Sequence, residues 1–254
     1  MNQKLPVFST LGKTLKSSGA EVYRSLGYSL VTSLIWFLAF IPVLYVAMTI
    51  PAALTLQLKQ AKNLLDTGLL SFTGILLVAI LNGFVTGPVT TALFALFQEK
   101  KEGYPNVKSF FKALGRFYWL SARVHLAFSL IVSVLIFNML VMIADKALLM
   151  KVAGIFSVYA LIFLMLFSYY LHPLIYYKNR FSGVFKKAFL LTLDNLGISI
   201  CWSLVLVLTF LISIGLIFPL LLLFGAFYIY LLDNGFELIA LKYEPVDEQG
   251  VKEE

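Results

Sequence analysis

Cysteine is nearly absent from this chain: Cys201 stands alone among 254 residues. A single thiol excludes an internal disulfide and any cysteine-built metal cage. Its position inside an apolar run makes it packing material. Charge is scarce too, at 13% of residues, where a soluble domain carries roughly a quarter. No stretch outside the apolar blocks is long enough to build a soluble core. The sequence also lacks a Walker-type phosphate loop, a His-Glu-x-x-His pair, a nucleophile elbow and a Cys-x-x-Cys motif. No enzyme chemistry, metal or cofactor is therefore expected. A cleavable leader is not expected either, because the first long apolar run starts near Leu26 and continues past Ala47. That is too late and too long for a signal core, so the run reads as a retained anchor.

What the chain has in excess is apolar length. Sixty per cent of its residues are apolar, gathered in blocks that water cannot solvate, so the lipid bilayer is the expected solvent. A membrane-crossing helix needs about 20 such residues. Spans are expected near Leu26–Ile50, Leu70–Phe97, Trp119–Ala144, Lys151–Tyr177, Gly197–Ile217 and Pro219–Leu241. Gly215 and Pro219 separate the last two, since proline removes a backbone donor and clashes with the preceding turn. The expected fold is an all-α polytopic transmembrane helical bundle of six spans, with five and a long kinked last helix as the alternative. Residues 1–24 form a basic cytoplasmic segment, 25–242 the membrane domain, and 243–254 an acidic, disordered cytoplasmic tail.

The net charge of +7 is spread unevenly over the loops. Basic residues crowd before the first span (Lys4, Lys13, Lys16, Arg24), after the second (Lys100, Lys101, Lys108, Lys112, Arg116) and after the fourth (Lys178, Arg180, Lys186, Lys187). Loops with Lys59, Lys62 and Asp66, or Asp145 and Lys146, carry less. The alternation places both termini in the cytoplasm of a multi-pass protein of the cell membrane. Anionic lipid headgroups are the expected counter-surface of the basic loops, and nucleic acid is not. Three stretches also share a pattern, a lysine about 16 residues before a Ser-Leu pair: Lys13 to Ser29, Lys112 to Ser129 and Lys187 to Ser203. They suggest three hairpins, each preceded by a short interfacial basic helix. Val107–Tyr118 is the clearest such helix, with Phe110, Phe111, Leu114 and Phe117 opposite Lys108, Lys112 and Arg116. A basic loop packed on the bundle is the alternative.

Two places could carry chemistry. Gly87-Pro88 interrupts an apolar helix beside Asn82, Thr86, Thr90 and Thr91. It marks either a broken helix lining a substrate cavity or a packing kink whose freed carbonyl the threonines satisfy. Asp233 and Glu237 lie four apart on one face of the last block, roughly 13 Å and one turn inside the surface. They form either a coupling acid pair or a structural ion pair, with Arg116 and Arg123 as the cations. Asn82 and Asn138 read as buried amides that bond between helices. His125 and His172 have no companion at ligand spacing and read as structural or interfacial.

The run Gly87-Pro88-Val89-Thr90-Thr91-Ala92-Leu93-Phe94 precedes a charged loop (Gln98 to Gly103) and Ser109-Phe110-Phe111-Lys112-Ala113-Leu114. Later come His172-Pro173-Leu174-Ile175, Phe185-Lys186-Lys187-Ala188-Phe189 and Asp194-Asn195-Leu196. This order, from about Leu70 to Leu241, resembles the YesL family of bacterial integral membrane proteins, which is defined by a domain of unknown function. The chain departs from the family in Thr91, where Ala is usual, and Asp194, where Arg is common. Members have no established activity and are often encoded beside sugar-uptake ATP-binding-cassette transporters. The resemblance implies a non-enzymatic accessory or assembly partner whose leading partners are sugar ABC transporter subunits. The alternative is a small secondary transporter with its cavity near Gly87-Pro88 and the Asp233/Glu237 pair.

Overall fold

A computed structural model of the chain describes residues 7–58, 64–100, 107–144, 148–177, 180–215 and 221–243. These are almost entirely helical. In order they form α1 (Val7–Arg24), α2 (Leu26–Leu58), α3 (Leu64–Leu81), a π-helical turn (Asn82–Thr86) and α4 (Gly87–Lys100). There follow α5 (Val107–Ala144), α6 (Leu148–Ser168), α7 (Leu171–Tyr177), α8 (Phe181–Asp194), α9 (Leu196–Gly215) and α10 (Leu221–Leu241). Among the described residues five stretches are long and apolar enough to cross a membrane. A sixth is counted if α8 and α9, bent by 92° at their junction, make one span. In the last apolar block α9 is described to Gly215 and α10 from Leu221, and the expected break near Pro219 lies outside the described residues.

Helix α4 is the axis of the bundle. Every residue from Thr90 to Phe97 is buried, whereas α2, α6 and α9 turn Leu38, Phe156 and Leu208 outward at more than half exposure. An inside-buried, outside-apolar surface suits hydrocarbon, which fits a multi-pass membrane protein in contact with the bilayer. Small polar residues let α1 approach α10 closely, for Thr10, Thr14 and Ser18 recur every four positions and are all buried.

Two helix breaks repeat one another. Ser25 separates α1 from α2, and Asn195 separates α8 from α9. Each backbone N–H reaches back four residues, Ser25 to Glu21 at 3.1 Å and Asn195 to Leu191 at 3.0 Å. Each break is gripped by a lysine at the end of a later helix, Lys100 the last residue of α4 and Lys242 the residue after α10. Lys100 Nζ donates to Ser25 Oγ at 2.7 Å and to Tyr230 OH at 2.6 Å. Lys242 Nζ donates to Asn195 Oδ1 at 3.3 Å and pairs with Asp194 at 2.8 Å. Burial alone would lower the Lys242 ammonium's pKa, but the hydrogen bond it donates to Asp194 holds it above the ordinary lysine value. The breaks make Ser29 equivalent to Ser199, one turn from the Ser29/Ser203 register expected from the Ser-Leu pairs.

The separate interfacial helix expected over Val107–Tyr118 does not form. Helix α5 runs unbroken for 38 residues, about 57 Å at 1.5 Å per residue. The reason is the stripe Phe110, Ala113, Phe117, Ser121, Val124, buried at helical spacing across the place where a break was expected. One straight face serves both segments. Lys108, Lys112 and Arg116 are exposed, but so is Phe111.

Candidate functional site

The chemistry of the bundle is concentrated where the π-helical turn meets α5 and α7. Gly87 N–H bonds the carbonyl of Asn82, five residues back, and this widened turn precedes Pro88, which has no N–H to offer. Helix α3 thus passes into α4 through a π bulge and is not broken. Thr90 Oγ1 donates to Thr86 O at 2.7 Å, and Thr86 Oγ1 to Ala39 O of α2 at 3.4 Å.

Gly87 makes room for an imidazole. A Cβ there would lie 2.4 Å from His125 Cγ, so any side chain would collide with the ring. His125 stacks on His172 with centroids 4.6 Å apart and planes 24° from parallel. Both are buried. A hydroxyl chain joins them, His172 Nδ1 to Thr91 Oγ1 at 3.0 Å, Thr91 to Ser121 Oγ at 2.9 Å, and Ser121 Oγ to His125 Nδ1 at 3.1 Å. His125 Nδ1 also faces the Ser121 carbonyl at 2.9 Å. A carbonyl only accepts, so the proton sits on Nδ1 and Nε2 carries a lone pair. That Nε2 is buried, and no hydrogen-bond partner reaches it among the described residues. Such an orphan costs about 1–3 kcal/mol.

Beside the pair lies a cavity of about 220 Å³. Its polar lining is Asn82, Thr86, Thr90, Ser168 and the two histidines, and aromatic walls come from Trp36, Phe40, Phe128 and Tyr228. A groove of about 800 Å³ between α8 and α10 is larger, but leucines and Phe236 dominate its walls. It resembles a bed for lipid chains more than a site of chemistry.

Of the residues singled out in the sequence, Asn82, Thr86, Gly87 and Thr90 line the cavity. Pro88 is buried next to it. Asn82 Nδ2 bonds Ser129 Oγ on α5 at 2.7 Å, an interhelical bond as expected, whereas Asn138 is exposed and not buried. The acid pair lies elsewhere. Asp233 is 2% exposed and accepts a hydrogen bond from Gln98 at the end of α4, and Glu237 is half-buried one turn on. The structure does not bring Arg116 or Arg123 to them. Arg116 lies over the Phe117 ring, and Arg123 is exposed with its Nε on Trp119 O at 3.1 Å. Asn234 bonds Ser17 and Ser18 of α1, and a Cβ on Gly235 would lie 2.2 Å from Trp202. The 233–235 turn therefore packs α1, α4 and α9 together.

Sequence reasoning missed the histidine pair. The signal was faint: Ser121 four before His125, and a glycine already accounted for by the Gly87-Pro88 interruption. Among the described residues no three of His, Cys, Asp or Glu gather as metal ligands. No family model, curated protein or solved structure matches this chain.

Proposed function

We propose that this protein takes a small polar solute into the bundle and passes it across the cell membrane. In this reading six spans stand as three hairpins, α1 and α8 lie at the cytoplasmic interface, and both termini are cytoplasmic. The observation that carries it is the cavity of about 220 Å³ beside the π bulge, with Asn82, Thr86, Thr90, Ser168 and the His125–His172 pair in its lining inside an otherwise apolar bundle. Polar groups in a membrane interior cost free energy unless a partner or a solute satisfies them. The π bulge adds support, because such turns recur at functional sites. At about 220 Å³ the cavity is below the roughly 300–1,000 Å³ of drug-sized sites, so a solute of a few non-hydrogen atoms fits and a disaccharide does not. Asp233 and Glu237 do not line it, and the role best supported for them is tying helices together. The reading requires no bond-breaking step. Its test is solute-driven swelling of proteoliposomes across a panel of small polar solutes. Rates equal to those of protein-free vesicles for every solute would remove it.

A second reading rests on the likeness of residues 87–94 and 185–189 to the YesL family: an accessory of a sugar-uptake ABC transporter. Purification with native lipids in mild detergent tests it, and a protein recovered alone would count against it. In that setting too the cavity is too small to carry the sugar.

A further inference from the structure

Helix α8 carries an unevenly built face that the solute cavity does not use. Its cations gather at its start, where Arg180, Lys186 and Lys187 are exposed. Its single acid, Asp194, comes last and is paired with Lys242. Between α8, α5 and α6 runs an apolar groove of about 600 Å³. Phenylalanines wall it: Phe128 stacks on Phe167 with centroids 6.0 Å apart, Phe167 meets Phe185 at 5.8 Å, and Phe163 meets Phe189 edge-on at 5.6 Å. Among its described lining residues Lys186 alone is polar. That lysine is exposed, and no carboxylate pairs with it among the described residues. Ser182 lies one turn earlier on the same exposed face, and Phe189 and Leu190, one turn later, are 47% and 53% exposed. The face thus passes from polar and cationic to apolar within about two turns of helix.

We infer that this groove binds one anionic phospholipid, its phosphate at Lys186 and Ser182 and an acyl chain along the phenylalanine walls. Lysine meets a phosphate as a point charge, without a fixed geometry. Basic pockets between membrane helices hold anionic headgroups in this way. Lipid tails already have apolar neighbours in the bilayer, so the groove sets the position and the lysine sets the preference. A partner helix would have to carry its own acid to the same point, which is costly at membrane depth, whereas a phospholipid brings its charge with it. The larger groove between α8 and α10 is a poorer match, because Asp194 shares its lining with Lys187 and a carboxylate opposes a phosphate. The lipid groove and the solute cavity share Phe128 as a wall, and neither reading depends on the other.

Native mass spectrometry of the full chain provides the test, with titrations of phosphatidylglycerol and of phosphatidylethanolamine bearing the same chains. Phosphatidylglycerol should bind about tenfold more tightly, the worth of one hydrogen bond to a charged group. Lys186→Gln should abolish that preference and leave phosphatidylethanolamine binding unchanged, and Lys186→Arg should keep it. Lys112→Gln, at an exposed lysine on α5 outside the groove, should change neither lipid. Phe189→Ala should weaken both lipids alike, because it removes part of the wall. Equal affinity of the two lipids for the unaltered protein overturns the inference, whether or not any variant folds. A loss at Lys112→Gln as large as at Lys186→Gln also overturns it, since that would mean diffuse attraction to a basic surface. A dimer that displaces the lipid would give the groove to a second copy of the chain and overturns it too.

Discussion

Gly87 and His125 fit together as an absence and a ring: the imidazole occupies the space a side chain at 87 would need, with only 2.4 Å from a would-be Cβ to Cγ. The cavity, the histidine stack and the hydroxyl chain all depend on that contact.

Gly87→Ala should therefore destabilise the protein by about 1–3 kcal/mol or displace His125. Gly115→Ala, where nothing lies within 4 Å of the added carbon, should be neutral or stabilise by up to about 1 kcal/mol. Chemical denaturation of the two variants in detergent micelles compares them. Equal stability would mean that the histidine does not sit where described.

Gly235 and Trp202 make a second such pair. Gly235→Ala alone should cost stability, and Trp202→Phe should relieve the loss by shrinking the ring and removing a buried indole N–H that has no partner among the described residues. A double-mutant cycle reads the coupling, expected at about 0.5–3 kcal/mol. Strict additivity would contradict the packing.

The acid at 233 separates two accounts of the last helix. Gln98→Ala removes a hydrogen bond to a buried carboxylate and should cost about 1–3 kcal/mol. Arg116→Gln and Arg123→Gln should each stay within about 0.5 kcal/mol, since both side chains lie at the surface. A large effect at either arginine would restore the ion pair expected from the sequence.

Lys242 carries a pH signature. Its ammonium is favoured in the folded state, so its contribution is full below the unfolded lysine value of about 10.4 and fades as pH rises through the raised folded value. Asp194→Asn should shift the onset of alkaline unfolding to lower pH, as followed by tryptophan fluorescence. An unaltered alkaline limb would show that the Asn195 break does not need this grip.

Much of the architecture was legible because lipid imposes a length: blocks of about 20 apolar residues announce themselves. The cavity's first half was legible too, since Gly87, Pro88 and their threonines disturb an otherwise uniform helix. The other half was hidden by distance along the chain, for nothing local to His125 or His172 says that a glycine 38 residues before the first will let them stack. The arginine pairing failed for a reason the sequence did contain. Arg116 and Arg123 are seven apart and fall off the stripe of Phe110, Ala113, Phe117, Ser121 and Val124, so one helical wheel would have turned them away from the core. The unbroken α5 follows from that same stripe, which a loop-charge argument cannot see.

The bonds from Ser17 and Ser18 to Asn234 join residues 217 and 216 positions apart. At a synthesis rate of roughly 5–20 residues per second, α1 emerges about 10–40 seconds before the helix it clasps exists. During that wait Ser17 and Ser18 lack Asn234, and only completion of α10 lets the two helices meet. Assembly thus has a built-in order: the seating of α1 on α10 waits until α10 is made, and a chain stalled before α10 leaves Ser17 and Ser18 without these bonds to Asn234.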